Sequence, residues 1–316
     1  VNERIKPGLG ALTAALLLAL TGCSQAAPVG TAAAEQPATI TVKHAQGSTS
    51  GVPVNPETVF TFDLGVLDTM DALGVEPDGV PQATYPETLK KYSGEGFAKI
   101  GSMKEPDFEA ISEGAPDLII ISGRTAGAYE ELSKIAPTID LTLDASKPME
   151  SFKEQTATLG EIFGKQAQVT QKLAAIDAKI DETRTKAADA GKGLIVLTSG
   201  GELTAYGAGS RFGIIHNVLG VKTAADIKAD AAHGEGVSFE FIKETNPDIL
   251  YVINRDSATG SDATASNAVL DNDLVKTTNA AKADKVVSLD PAGWYLVGYG
   301  LNNVQAMIDA VAKSVA

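Results

Sequence analysis

The sequence predicts an α/β protein of two lobes, each built on a mostly parallel sheet, joined by one long α-helix. Three observations predict it. A segment of seventeen residues occurs twice, at 108–124 (FEAISEGAPDLIIISGR) and 239–255 (FEFIKETNPDILYVINR), with seven positions identical at a constant offset. Between the copies, residues 149–190 hold two glycines and no proline, and Phe152, Leu159, Ile162, Phe163, Val169, Leu173, Ile176 and Ile180 recur at helical spacing. Elsewhere short apolar runs alternate with helical patterns, which argues for parallel sheets of strand–helix units.

In chain order, residues 38–44 alternate and predict a strand. Val59–Phe62 is a second strand, followed by a helix from Leu64 to Leu73 closed by Gly74. A loop-rich stretch with a short helix near 86–92 leads into the first repeat copy. Each copy reads as a short helix, a Pro-Asp turn, a buried strand, and an arginine (Arg124 or Arg255) just past the strand's C-terminal end. A helix near 126–136 stops before Pro137, and Thr138–Leu141 is a strand. Residues 149–190 read as a single connector helix, bent at most where Gly160 and Gly164 each cost about 1 kcal/mol. The second lobe opens with strand Gly193–Ser199 and its hairpin partner Leu203–Tyr206. A helix over Arg211–Leu219, the second repeat copy, a strand at Val286–Leu289 and a helix over Leu296–Val315 complete it. The predicted boundaries are 38–148 for the first lobe, 149–190 for the connector and 191–316 for the second lobe.

Residues 1–23 predict an export signal. Arg4 and Lys6 precede a twelve-residue apolar run from Leu9 to Leu20, too short to span a bilayer comfortably. The run ends in Leu20-Thr21-Gly22-Cys23, which resembles a bacterial lipobox, whose cysteine is lipidated and begins the mature chain. Cys23 is the sole cysteine, so no disulfide framework is expected. Residues 24–37 read as a flexible tether. The expected product is a body held by lipid on the outer face of a cell membrane, of Gram-positive type in preference to a periplasm, with no transmembrane helix.

Net charge is −14 with no Lys/Arg-rich block, which disfavours nucleic acid as a partner. A small anion stays open, because a few arginines in a cleft dominate at short range while salt screens distant charges. There is no nucleophile elbow, phosphate loop or HExxH motif, so catalysis is not expected. With only His44, His216 and His233, in distant segments, direct capture of a bare metal ion is disfavoured.

The lipobox, the two lobes and the helical connector together resemble the helix-linked substrate-binding proteins of ABC importers, which have a periplasmic-binding-protein-like fold. The local text Ser122-Gly123-Arg124, Gly209-Ser210-Arg211-Phe212-Gly213, His233-Gly234, Asn254-Arg255 and Trp294-Tyr295-Leu296 is similar to the branch that binds ferric catecholate siderophores of the enterobactin and petrobactin type. The resemblance implies that Arg124, Arg211 and Arg255 surround the ferric catecholate; Trp294, the single tryptophan, has two readings, core packing and stacking on a ring of the ligand. The resemblance also implies His233 and Tyr295, with Tyr299 as the alternative tyrosine, as iron ligands where the siderophore leaves coordination sites open. The implied partners are the ferric siderophore and a two-fold permease with its ATPase, the protein acting as a monomer with Fe(III) carried only as the siderophore complex. Glu109 and Glu240, the acids repeated at each helix start, have two readings: favourable placement against the helix dipole, and pairing with arginines on the permease. Asp117 and Asp248 are expected to shape the turn after proline. Another cargo for the same class (a hydroxamate siderophore, haem or cobalamin) and a surface enzyme on the same scaffold are the alternatives.

Arginine suits a chelate that carries about three negative charges on an aromatic shell, because the guanidinium forks onto oxygen pairs and lies flat on rings. Three charge-assisted contacts offer roughly 5–9 kcal/mol before desolvation.

Overall fold

The computed structural model describes residues 38–228, 234–264 and 271–316, within one compact unit, Pro37–Ala316. The signal, Cys23, the tether and His233 lie outside the described residues. A hairpin of β1 (Thr39–His44) and β2 (Gly47–Pro53) comes first. The first sheet is wholly parallel. Its strands are β3 (Val59–Thr61), β4 (Gly79–Gln82), β5 (Ala98–Ser102), β6 (Leu118–Ile121) and β7 (Thr138–Asp140), in the order β5-β4-β3-β6-β7. The second sheet is mixed. It contains β8 (Lys192–Ser199), β9 (Glu202–Tyr206), β10 (Lys222–Thr223), β11 (Glu235–Val237), β12 (Ile249–Asn254) and β13 (Val286–Ser288), in the order β11-β9-β8-β12-β13 with β10 beside β8. The pairs β8·β12 and β12·β13 are parallel, whereas β9 pairs antiparallel with both β8 and β11.

Helices cover the sheets: α1 (Leu64–Ala72), α2 (Phe108–Gly114), α3 (Tyr129–Leu132), α4 (Pro148–Ile162), α5 (Gln166–Ala187), α6 (Phe239–Thr245), α7 (Arg255–Thr259) and a C-terminal helix, Leu301–Ser314. Central strands must satisfy apolar layers on both faces, and β6 does so with four residues, Leu118 to Ile121, all fully buried. Leu118 and Ile120 face Leu159 and Ile162 of α4, while Ile119 and Ile121 face Ile111 of α2 and Leu132 of α3. Burying each such side chain is worth about 1.5–3 kcal/mol. In the second sheet Ile249, Tyr251 and Ile253 pack toward α5 and the C-terminal helix, and Leu250 and Val252 toward Ile242 of α6.

The repeat folds alike twice. Asp107 caps α2 through the Ala110 N–H, and Ser238 caps α6 through that of Phe241. Both helices end on a left-handed residue, Ala115 at φ 42° and Asn246 at φ 45°. Asp117 and Asp248 are structural, with their partners on the neighbouring strand's approach rather than in the turn itself. Asp117 accepts the N–H groups of Glu57 and Thr58, and Asp248 that of Lys192, each at 2.9 Å.

Several expected elements differ. The connector is two helices, broken over residues 163–165. Gly164 takes φ +64°, and a Cβ on Gly160 would lie 2.8 Å from Val169 Cγ2, so both glycines make the reversal of α4 onto α5 rather than merely weakening a continuous helix. The helix expected over Arg211–Leu219 is a π-helical turn confined to Ile214–Val218. The last helix begins at Leu301, because Gly293–Val297 forms another π-helical turn and Gly298, at φ 64° and ψ −121°, turns the chain. The helix near 126–136 shrinks to a 3₁₀ turn, Ala126–Ala128, and the single turn α3. The hairpin strand β2 and strands β4, β5, β10 and β11 had no sequence signal of their own.

Residues 293–300 join the two halves. They lie against α1, where Gly65 admits the carbonyls of Val297 and Tyr299; a Cβ there would meet both oxygens at 2.9 Å. Leu64 and Leu67 of α1 share one apolar cluster with Ala258 of α7, Leu296 and Val297. Asp68, also on α1, accepts the N–H groups of Asn302 and Asn303 at the start of the C-terminal helix, at 2.8 and 3.0 Å. No described helix is long and apolar enough to cross a membrane.

Candidate functional site

The segments that follow β3, β6, β7 and β12 end on one cavity of about 920 Å³. This is where ligands bind in open α/β sheets, beyond the carboxyl ends of strands. Its volume lies toward the large end of small-molecule sites. From the first sheet come Asp63, Ser122, Arg124 and Thr142, with Phe152, Gln155 and Thr156 added by α4. The second sheet and its loops give Leu197, Tyr206, Arg211 and Arg255, and the 293–300 segment gives Trp294, Tyr295 and Tyr299.

All three expected arginines meet at Tyr295. Arg124 donates from Nη2 to the Tyr295 carbonyl (2.9 Å) and from Nη1 to the Leu296 carbonyl (3.2 Å). Arg211 donates from Nη2 to the same Tyr295 carbonyl (2.7 Å). Arg255 donates from Nε to the Tyr295 hydroxyl (2.8 Å) and from Nη1 to Ser199 Oγ (2.9 Å). The guanidinium carbons of Arg211 and Arg255 stand 4.9 and 5.6 Å from the centre of the Tyr295 ring, and that of Arg211 stands 5.1 Å from the Phe212 ring. Guanidinium groups and an aromatic face thus meet around one tyrosine of the chain itself.

Burial lowers the pKa of Arg211, and the neighbouring Arg124 charge lowers it further. The hydrogen bond to Tyr295 raises that of Arg255, with Asp256 adding in the same sense. Two cations this close around a shared carbonyl oxygen favour any incoming anion. Among the described residues Asp63 is the one carboxylate on the cavity wall, and its Oδ1 is committed to the Gly65 and Val66 N–H groups as the cap of α1.

Trp294 borders the cavity but is 3% exposed and packed into the second sheet's core, so it forms wall rather than a projecting ring. The Tyr299 hydroxyl is buried and, among the described residues, has no hydrogen-bond partner. Glu109 and Glu240 stand exposed in the first turns of α2 and α6 and take no part in the cavity. The carboxylate of Glu240 is held below its ordinary pKa by its own backbone N–H and the Ser238 hydroxyl. Among the described residues no cluster of three His, Cys, Asp or Glu side chains is placed to hold a metal ion. Tyr206 and Asp63 were missed from sequence. Tyr206 closes a hairpin strand and Asp63 looks like an ordinary helix cap, so neither carries a local mark of facing a cavity. Gln155 and Thr156 were hidden in the polar face of a helix.

Comparison with known proteins places the chain in a family. The family model described as periplasmic binding protein matches residues 59–292. The petrobactin-binding protein YclQ of Bacillus subtilis is 46% identical over 278 residues, spanning 86% of this chain and 87% of that protein. Its crystal structure aligns with a TM-score of 0.84 over 88% of this chain and 99% of that one. The ferric-anguibactin-binding protein FatB of Vibrio anguillarum is 32% identical, with 96% of both chains covered. The periplasmic catecholate-siderophore-binding protein VctP of Vibrio cholerae aligns with a TM-score of 0.82 at 34% identity, over 87% of this chain and 99% of that one.

Proposed function

This chain belongs to the periplasmic binding protein family, and from that premise we propose that it captures a ferric catecholate-type siderophore in the three-arginine cavity and delivers it to an ABC permease, doing no chemistry on it. The observation that carries this reading is the convergence of Arg124, Arg211 and Arg255 on Tyr295. Ligand catecholate oxygens take the places of the Tyr295 and Leu296 carbonyls on Arg124 and Arg211, and catechol rings lie against the guanidinium planes. YclQ, FatB and VctP, named for petrobactin, ferric anguibactin and catecholate siderophores, support the cargo class. Where the siderophore leaves iron unsaturated, the Tyr295 phenol and His233 complete its coordination. Fe(III) is hard and prefers oxygen, so the phenol is the stronger of the two ligands.

Titration of the purified protein with ferric mono-, bis- and tris-catecholates and a ferric hydroxamate, followed by Trp294 fluorescence, tests the cargo. Quenching by the catecholates ahead of the hydroxamate is expected. Silence toward every catecholate rejects the reading.

Delivery involves Glu109 and Glu240, one exposed acid on each repeat helix, with Phe108 40% exposed beside the first. Replacing both glutamates by alanine stops uptake and leaves binding intact; unimpaired uptake counts against docking through them. The body is anchored through lipid on Cys23 at the outer face of the membrane. Labelled palmitate incorporated by the wild type and lost in Cys23→Ala tests the anchor.

A further inference from the structure

The grip on Arg255 reaches beyond the cavity wall, and two residues that do not face the ligand complete it. Arg255 begins α7 directly after β12, and Ser199 ends the neighbouring β8, where Asn254 is paired with Thr198. Strand register therefore places the Ser199 hydroxyl within reach of the guanidinium, at 2.9 Å from Nη1. The same hydroxyl lies 3.2 Å from Asp256 Oδ1, while Asp256 Oδ2 accepts the Gly200 N–H at 2.7 Å. Asp256 is only 7% exposed although it follows a cavity-facing arginine.

The direction of this chain is forced. A guanidinium only donates and an ionised carboxylate only accepts. The single hydroxyl proton of Ser199 therefore points to Asp256, and its lone pair receives Arg255. With Nε committed to the Tyr295 hydroxyl and Nη1 to Ser199, two of the three guanidinium nitrogens are fixed, from different edges of the group. The buried Asp256 carboxylate, one hydroxyl away, also favours the Arg255 cation.

We propose that Ser199 and Asp256 are positioning residues that pre-orient Arg255 for the anionic ligand, so that the two determine affinity without touching it. The inference rests on the reading of the cavity as a ferric catecholate site. Preorganisation of this kind raises affinity by removing ordering that binding otherwise has to supply.

The test is a double-mutant cycle on the full protein, with a ferric tris-catecholate as probe and Trp294 fluorescence as readout. Ser199→Ala is expected to weaken binding on the order of tenfold, Ser199→Thr to restore most of it, and Asp256→Asn to weaken it comparably. In an Arg255→Ala background, Ser199→Ala is expected to cost almost nothing further. Equal losses in both backgrounds, or full affinity in Ser199→Ala, overturn the proposal. A second readout needs no ligand: the Nε–H of Arg255, one of five arginines in the chain, is expected to exchange slowly by NMR in the wild type and faster in Ser199→Ala. Unchanged exchange overturns the proposal even where Asp256→Asn fails to fold. A wild type that binds no catecholate rejects the functional reading, and the exchange measurement then decides the positioning alone.

Discussion

Arg124, at the end of β6, donates to the backbone carbonyl of Tyr295 at 2.9 Å across 171 positions of sequence, and Arg211 reaches the same oxygen at 2.7 Å. One carbonyl thus sits between cations from the two sheets. Residues 293–300, which carry it, are seated on α1 through Gly65, and the helix that follows them is tied to α1 through Asp68. In the proposed binding mode ligand oxygens exchange with that carbonyl, and the strength of binding then depends on how cleanly the two arginines release it.

Arg211→Ala removes one fork and two ring contacts. Affinity for a ferric tris-catecholate is expected to fall about 10- to 100-fold, with Arg211→Lys between the wild type and alanine because ammonium keeps the charge and loses the planar fork. Isothermal titration checks the order; equal affinities for arginine and alanine remove Arg211 from the site.

Tyr295→Phe keeps the carbonyl for Arg124 and Arg211 and deletes only the phenol. If the phenol ligates iron, affinity for a ferric bis-catecholate falls further than affinity for a tris-catecholate, and the tyrosinate-to-iron charge-transfer band of the bis complex disappears. Equal losses for both complexes assign the hydroxyl to holding Arg255 alone.

Burial raises the pKa of Asp68 from 3.8 to about 6, against the lowering effect of its two backbone hydrogen bonds. The folded protein therefore holds this proton more tightly than the unfolded chain. The contribution is greatest below about pH 4, is lost as pH rises to about 6, and is constant above, with an upper bound of roughly 3 kcal/mol. Asp68→Asn keeps an acceptor for Asn302 and Asn303 without the charge. Urea denaturation at several pH values is expected to show the variant gaining on the wild type between pH 4 and 6.5; a difference independent of pH contradicts the assignment.

Gly65→Ala drives a methyl to 2.9 Å from two carbonyl oxygens of the 297–299 stretch. Backbone there cannot retreat without moving Tyr295, so the variant is expected to lose about 1–3 kcal/mol of stability and to bind catecholate more weakly. Stability and affinity measured on one preparation check the pair; loss of stability with full affinity uncouples α1 from the site.

Tyr299→Phe deletes a buried hydroxyl without a partner among the described residues. Such a group costs stability when left unmade, so the variant is expected to melt at or above the wild-type temperature. A lower melting temperature reveals a partner for the hydroxyl, such as a bound water.

Much of the architecture was legible in the sequence because it is written locally. The repeat copies carry their own caps, turns and buried strands, and they folded into matching units ending in Arg124 and Arg255. The two connector glycines were visible too, but their meaning was not. A glycine costs helix stability in any sequence, and only the packing of Val169 on Gly160 and the φ of +64° at Gly164 show a reversal of direction.

The sequence by itself determined which residues have the chemistry for an anionic aromatic chelate and that the chain folds as two sheets around a helical connection. Tertiary structure alone decided that three arginines share one tyrosine, that α1 holds the segment carrying it, and that Ser199 and Asp256 stand behind Arg255. Periodicity and turn chemistry act over a few residues and leave a local pattern. Hydrogen bonds between residues 56, 84 or 171 positions apart leave none, because only the packing of the sheets brings their partners together.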